Sequence, residues 1–316
     1  MGRTRLYFVT DVHGSTRCFR KFLNAAKSYG ADVLVLGGDI TGKVIIPIVE
    51  KDGRFACHSP GAELVLDTPA EVEEFQKREA ESGSYAQVVT PSEYEELRAD
   101  PGKVESLFVK LMVERVREWL ALAEERLAKT SVRCFISPGN DDAFEIDPVL
   151  GSSPYVVDPE ERVVSIDGEH EMITLGYTNR TPWKSPREVD EDSLAGMISA
   201  MADRVSDMRT AIFNVHVPPI DTTLDQAPRL DSDLKAVVKA GSVEMASAGS
   251  SACRAALLRY QPMLGLHGHI HESRGVAKLG RTLCANPGSE YAGGVLRGFL
   301  ADLEGDKVRS YILTSG

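Results

Sequence analysis

The sequence predicts an α/β protein, because short apolar runs alternate with amphipathic stretches along most of its 316 residues. Residues 6–9 and 33–36 are apolar runs of strand length, and Phe19, Phe22 and Leu23 lie between them at helical spacing. This beginning predicts two neighbouring parallel strands joined by a helix in a right-handed crossover. With 42% hydrophobic and 26% charged residues, the composition is that of an ordinary globular protein.

The rest of the chain continues the pattern of strands. Further apolar strands are predicted at residues 134–136, 212–215 and 263–266. Two hairpins are predicted where a turn dipeptide separates two apolar runs, at residues 163–176 around Asp167-Gly168 and at residues 298–312 near Glu304-Gly305.

Residues 43–104 interrupt this alternation. A hairpin is predicted around Asp52-Gly53, residues 69–100 are rich in Glu, and a long amphipathic helix follows. We interpret residues 1–316 as a single domain with residues 43–104 inserted in it. The insertion is either a cap, an element through which copies of the chain form a homo-oligomer, or a surface decoration.

Charge and cysteine content narrow the classes of partner and location. A net charge of −11 disfavours nonspecific binding to nucleic acid or to an anionic membrane surface. It allows a small anionic substrate, because a bound metal ion reverses the local potential. The five cysteines form no CxxC pair, which is typical of a reduced, cytoplasmic protein. No apolar run approaches the ~20 residues of a membrane span.

Polar residues follow each of the five apolar runs directly. Five of the seven histidines lie in these segments. Ligands of open α/β sheets gather outside the carboxyl ends of strands, so the segments predict one convergent polar site. Its candidate residues are Asp11, His13, Asp39, Asn140, Asp141, His216, His267, His269 and His271.

The residue types in these segments favour a pair of metal ions. Carboxylate oxygen and imidazole nitrogen suit divalent Mn or Fe, and also Zn or Ni, whereas a structural zinc site would use cysteine. A carboxylate that bridges two ions about 3.5–4 Å apart is typical of centres that catalyse phosphoryl displacement.

Five motifs in this order resemble the calcineurin-like metallophosphoesterase family, and its small bacterial and archaeal phosphodiesterase branch in particular. They are Asp11-x-His13, Gly38-Asp39, Gly139-Asn140, His216 and Gly268-His269-x-His271, and Asn286-Pro287-Gly288-Ser289 resembles a further segment of that branch. The resemblance extends from residue 6 to about residue 289, without the insertion. It implies two mixed β-sheets packed face to face, with helices outside.

The resemblance also implies roles for single residues. Asp11, His13, Asp39 and His271 would hold the first ion, and Asp39 would bridge to the second, held by Asn140, His216 and His269. Asn140 would also contact substrate. Metal-bound hydroxide would then attack the phosphorus of a small phosphoester. The resemblance gives His267 no role, and this residue is expected either to support the ligands without contacting the metal or to be structural.

Asp141 departs from the family pattern. Many members have a histidine there that protonates the leaving group, a contribution of roughly 10²–10⁴-fold for a positioned acid. Asp141 replaces it only if it is held protonated. The departure favours diester substrates with good leaving groups, and cyclic nucleotides, nucleotide-derived diesters and lipid diesters all fit.

Other interpretations compete with this one. Each motif alone is an ordinary turn, helix cap or structural histidine. Residues 37–43 match GxxxxGK, but Val44 stands where a phosphate-binding loop needs Ser or Thr, and no helix begins there. A phosphomonoesterase and a catalytically weak, metal-binding scaffold of the same fold remain as alternative functions.

Overall fold

We describe the protein from a computed structural model in which residues 2–59, 62–239 and 241–316 are described. Its helices are α1 Thr16–Ser28, α2 Pro69–Ser82, α3 Pro91–Ala99, α4 Pro101–Leu127, α5 Asp147–Leu150, α6 Glu191–Ala202 and α7 Ser251–Tyr260, with 3₁₀ turns at Phe144–Ile146 and Tyr291–Gly293. Its strands are β1 Thr4–Val9, β2 Val33–Gly37, β3 Ile45–Lys51, β4 Arg54–Ser59, β5 Ala62–Leu66, β6 Tyr85–Val89, β7 Arg133–Ser137, β8 Val163–Ser165, β9 Glu171–Leu175, β10 Thr178–Asn179, β11 Glu188–Val189, β12 Ile212–Val215, β13 Gln226–Pro228, β14 Val238–Lys239, β15 Ser242–Val243, β16 Met245–Ser247, β17 Leu264–Leu266, β18 Gly275–Leu279, β19 Thr282–Asn286, β20 Arg297–Glu304 and β21 Lys307–Ser315.

Two mixed sheets form the core of the fold. The first has strand order β21-β20-β1-β2-β7, and the second has the order β18-β19-β17-β12-β9-β8. Strands β1, β2 and β7 run parallel in the first sheet, while β9, β12, β17 and β19 run parallel in the second. The predicted α/β class with two mixed sheets is therefore confirmed, as are the parallel pairing of β1 with β2 and the β8–β9 and β20–β21 hairpins.

The period-2 alternation of β1 shows how the layers are built. Leu6 and Phe8 point into the apolar core between the two sheets, where they join residues such as Ile212 and Leu264. Tyr7 and the other alternate residues face the opposite side, where α1 and α4 pack. The outer face of the second sheet is covered by α6 and α7. The result is two sheets packed face to face with helices on both outer sides.

Residues 43–104 form a sheet of their own, with strand order β5-β4-β3-β6. The β3–β4 hairpin turns at Asp52-Gly53 as predicted. The Glu-rich stretch, for which no elements were predicted, forms α2, β6 and α3, and each of these helices begins with a threonine capping box. Ile48, Phe55 and Phe75 belong to a small separate core. A role as a cap or an oligomerisation element stays a prediction.

Among the residues described, no helix combines the length and apolar character needed to cross a membrane.

Candidate metal centre

The candidate ligands lie where parallel strands of both sheets end. Asp11 and His13 follow β1, Asp39 follows β2, and Asn140 follows β7, all in the first sheet. The second sheet contributes the remaining three ligands, His216 after β12 and His269 and His271 after β17. Contacts between these side chains bring the ligands of the first sheet and those of the second sheet together at one edge.

The backbone at four of these residues has an unusual conformation. Asp11, His13, Asp39 and His269 have positive φ angles of 53°, 40°, 50° and 65°. Such angles are uncommon for residues other than glycine and cluster at functional sites. Hydrogen bonds hold the strained segments together, because the amide of Asp11 donates to the Gly38 carbonyl at 3.0 Å and that of His13 to the Asp39 carbonyl at 3.0 Å.

Asp11, His13 and His271 form one group able to hold an ion. The Nε2 atoms of His13 and His271 lie 3.0 Å apart, and Nε2 of His271 lies 3.3 Å from Oδ1 of Asp11. Oδ2 of Asp39 lies 3.7 Å from Nε2 of His13. These are the four residues that the resemblance assigns to the first ion.

Asp11, Asp39 and His216 form a second such group. Nε2 of His216 lies 3.4 Å from Oδ1 of Asp39 and 3.8 Å from Oδ1 of Asp11. The other ring nitrogen of His216 donates to the Gly37 carbonyl at 3.0 Å, which aims Nε2 at the two carboxylates. Asp39 thus offers Oδ2 to one group and Oδ1 to the other, as a bridging carboxylate would.

Asn140 and His269 face each other at the same edge. Nδ1 of His269 lies 2.8 Å from Oδ1 of Asn140, and the amide of His269 donates to the carboxylate of Asp11 at 3.0 Å. Both residues were assigned to the second ion on the basis of the resemblance. All seven predicted ligands are therefore brought together.

The donor set fits two divalent ions. Nε2 of His216, which faces Asp39 and Asp11, is buried without a hydrogen-bond partner, although buried ring nitrogens usually have one. Each group supplies carboxylate oxygen and imidazole nitrogen and contains no thiolate, a combination that suits borderline transition metals.

The charges within the cluster shift its pKa values strongly. Burial and the nearby charge of Asp141 raise the pKa of Asp39 to about 6. Burial opposes protonation of His216, but Asp39 and Asp11 outweigh it and raise the pKa of His216 to about 10. Burial likewise opposes ionisation of Asp11, yet the charge of His216 and a hydrogen bond with His271 hold the pKa of Asp11 well below its usual range. Metal ions, which bind neutral imidazole, would displace these protons.

Asp141 lies at the margin of the cluster as an ionised acceptor. Its Oδ2 pairs with Nζ of Lys43 at 2.5 Å, and its Oδ1 accepts from Ser185 Oγ at 2.6 Å. Burial alone would raise the pKa of Asp141, but Lys43 and Ser185 lower it to about 2. Asp141 would replace the histidine implied by the resemblance only if its carboxyl group were protonated. These contacts instead favour the ionised carboxylate.

Neighbouring side chains hold the loops that carry the ligands. Asp142 accepts from the amides of Ile40, Thr41 and Gly139 at 2.7–3.0 Å, so it ties the loop after β7 to the loop after β2. Gly139 lies so close to Asp39 that a Cβ atom at this position would collide with the backbone nitrogen and the carboxylate of Asp39.

Sequence reasoning missed three residues of the site. Lys43 belongs to the GxxxxGK match that the sequence analysis rejects as a phosphate-binding loop, so the lysine itself was not considered further. Ser185, and Tyr291, whose ring centroid lies 4.7 Å from that of His13, carried no recognisable signal. His267 lies behind the centre with Nδ1 donating to the Val215 carbonyl at 2.8 Å and belongs to no metal-capable group found among the described residues.

Comparisons with known proteins support the fold. No family model matches the chain. An uncharacterized protein of Methanocaldococcus jannaschii, MJ1162, is 27% identical over 167 residues, which span 52% of this chain and 68% of that protein. The crystal structure of TT1561 of Thermus thermophilus has a TM-score of 0.54 and 14% identity over 100% of this chain and 99% of its own.

A structure reported as a novel archaeal phosphodiesterase also aligns with 98% of this chain and 100% of its own, at 11% identity and a TM-score of only 0.36. At 14% identity the likeness to TT1561 shows a common fold and nothing finer. The chain is thus an α/β protein of two mixed sheets, with Asp and His groups able to bind metal collected at one edge.

Proposed function

We propose that this chain is a dinuclear-metal-dependent phosphoesterase that prefers phosphodiesters. The observation that carries the proposal is the convergence of seven oxygen- and nitrogen-bearing side chains from both sheets, with the Asp39 carboxylate facing His13 through one oxygen and His216 through the other. The motif order of the calcineurin-like metallophosphoesterases supports the same function.

In this proposal Asp11, His13, Asp39 and His271 hold one ion. Asn140, His216 and His269 hold the other, and Asp39 bridges. The donor types favour Mn or Fe, with Zn or Ni as further candidates. When bound, such a pair lowers the pKa of coordinated water and polarises phosphoryl oxygens.

Neighbouring residues hold Asp11 in the position that this role requires. Thr10 donates to Oδ2 of Asp11 at 2.7 Å, and the Ser289 hydroxyl donates to the Asp11 carbonyl at 2.6 Å, so Asp11 is held from two sides. Preference for diesters rests on Asp141, which accepts hydrogen bonds where the family histidine would donate a proton.

The test is metal reconstitution of the whole chain. Protein stripped by EDTA and reloaded with Mn²⁺ or Fe²⁺ should bind about two ions and hydrolyse bis-p-nitrophenyl phosphate faster than p-nitrophenyl phosphate. Chelation should abolish turnover, and Mn²⁺ should restore it. Chelator-insensitive turnover would contradict the metal mechanism, and two bound ions without turnover would favour the scaffold alternative.

We also propose a cytoplasmic location. The support is that the five cysteines are buried free thiols, as expected in a reducing compartment.

A further inference from the structure

Lys43 reaches the margin of the metal centre from the start of the 43–104 segment. Its Nζ lies 2.5 Å from Oδ2 of Asp141, and its side chain remains 41% exposed. Asp141 is itself held, because its other oxygen accepts from Ser185 Oγ at 2.6 Å and from Nδ2 of Asn140 at 2.9 Å. The ammonium group is therefore positioned by Asp141, whose other oxygen contacts Asn140, one of the seven candidate ligands.

The backbone that carries Lys43 is fixed from two directions. Thr41 donates to Asp142 through its amide at 2.8 Å and through its hydroxyl at 2.5 Å. The amide of Gly42 donates to the Tyr85 hydroxyl at 2.9 Å, and a Cβ atom at Gly42 would lie 2.9 Å from the Tyr85 ring. Tyr85 belongs to β6, so the sheet of residues 43–104 helps to hold Lys43 at the centre.

The charge of Lys43 is unusual in its surroundings. The cluster it borders contains Asp11, Asp39 and Asp141, whose carboxylates would repel an anionic substrate. The carboxylate of Asp141 contacts Nζ of Lys43 and favours its charged ammonium form. An ammonium has three N–H donors, and Asp141 is the one carboxylate in ion-pair contact with it in the described part of the chain.

We propose that Lys43 binds the phosphoryl group of the substrate, with Asp141 and Ser185 as positioning residues. The proposal rests on the proposed phosphoesterase function. A lysine ammonium is a compact charge that suits phosphate oxygens, and a charge-assisted hydrogen bond is about twice as strong as a neutral one. Lys43 keeps its proton in this role, and no bond is made or broken at it.

The experiment measures binding of inorganic phosphate to the Mn-loaded protein by calorimetry, together with metal content and turnover of bis-p-nitrophenyl phosphate. Lys43→Met should weaken phosphate binding by roughly 10- to 100-fold and leave the metal content unchanged. Lys43→Arg should restore most of the lost affinity, because the charge remains. Lys51→Met, an exposed lysine of the same sheet, is the matched control and should behave as the wild type.

The positioning role of Asp141 is tested by a double-mutant cycle. In an Asp141→Asn background the ammonium is no longer held, so Lys43→Met should weaken phosphate binding by clearly less than it does in the wild type. An equal loss in both backgrounds would overturn the positioning role.

Failure of this inference differs from failure of the proposed function. If Lys43→Met binds phosphate as tightly as the wild type and keeps its turnover, the binding role of Lys43 is overturned, but the proposed phosphoesterase function is not. Phosphate binding that depends on Lys43 in a protein without turnover would support the binding role while contradicting the enzyme. A wild-type protein that neither binds phosphate nor turns over would overturn both.

Discussion

His170 and His216 are both fully buried histidines beside aspartates, but their ring nitrogens have different surroundings. Nδ1 of His170 donates to Oδ2 of Asp167 at 2.6 Å, and Nε2 donates to the Gly305 carbonyl at 2.9 Å. His216 makes one such bond, to the Gly37 carbonyl, while its Nε2 faces Asp39 at 3.4 Å without a hydrogen bond.

The difference separates a structural histidine from a candidate ligand. A buried polar group that has its partners stabilises the fold, whereas one left without a partner destabilises it unless a ligand completes it. An unpaired nitrogen alone is insufficient, because Nε2 of His267 is also unpaired although His267 belongs to no metal-capable group found among the described residues. The informative combination is an unpaired ring nitrogen facing several carboxylates, as at His216.

The largest expected effect is that of Asp39→Asn, which removes the carboxylate that faces His13 through one oxygen and His216 through the other. We expect the loss of at least one ion per chain after Mn reconstitution and a fall in turnover of at least about 1000-fold, because a metal ion contributes several kcal/mol to catalysis. Elemental analysis and initial rates with bis-p-nitrophenyl phosphate measure both.

Asp167→Asn is the matched control for that change. It makes the same substitution beside the structural histidine and should leave metal content and turnover close to the wild type. An unchanged metal content in Asp39→Asn would contradict the bridging role of Asp39. It would also mean that Asp39 and Asp167 do not differ in metal binding.

The second prediction concerns the leaving group. Because both oxygens of Asp141 accept from Lys43 and Ser185, Asp141 has no proton to donate, and aryl diesters should be hydrolysed roughly 10²–10⁴-fold faster than alkyl diesters. Asp141→His should narrow that gap by accelerating the alkyl diesters more. Equal rates for both diester classes in the wild type would show that another group supplies the proton.

The third prediction concerns the contribution of the His170–Asp167 pair to the stability of the folded protein. His170→Leu leaves the Asp167 carboxylate and the Gly305 carbonyl without their donor, so the free energy of unfolding should fall by about 1–3 kcal/mol. Urea denaturation measures this loss, while metal content and turnover should stay unchanged at temperatures where the variant is folded. A loss of metal with unaltered stability would reverse the assignment of the two histidines.

The smallest expected effect is the pH dependence of the unfolding free energy that is lost in His170→Leu. Burial opposes the charge on His170, but Asp167 raises the pKa of His170 above 6.5, so the stabilisation is complete below that pH and is lost as the pH rises through the raised value. Burial would raise the pKa of Asp167, yet His170 holds it below 3.8, so the contribution of Asp167 is lost only in stronger acid.

The stability difference between wild type and His170→Leu should therefore be largest between pH 3.8 and pH 6.5, the ordinary pKa values of the aspartate and the histidine. Denaturation near pH 5.5 and near pH 9 tests this, with the smaller difference expected at the higher pH. A difference that grows towards pH 9 would show that His170 is neutral in the folded protein.

Much of the core and of the candidate metal centre was predictable from the sequence. The runs at residues 6–9 and 33–36 are apolar enough to form buried strands wherever they occur, and both do so. Asp11 and Asp39 follow them within three residues, and parallel strands end at the same edge of a sheet. Proximity of these ligands therefore follows from local pattern and strand direction.

The sequence by itself predicted the α/β class and the polar residues that follow its strands, because apolar runs of strand length and the residues directly after them are local properties. The face-to-face packing of two sheets and the set of seven ligands were predicted from the family resemblance of the motifs. Only the tertiary structure decided the state of Asp141, since its partners Lys43 and Ser185 lie 98 residues before it and 44 residues after it in the chain. It also decided that Lys43, the lysine of an unused GxxxxGK match, contacts Asp141 at the margin of the candidate metal centre, and that the ring nitrogens of His170 and His216 have different partners. Ion pairs and completed hydrogen bonds depend on how distant segments pack, and no spacing along the chain encodes that distance.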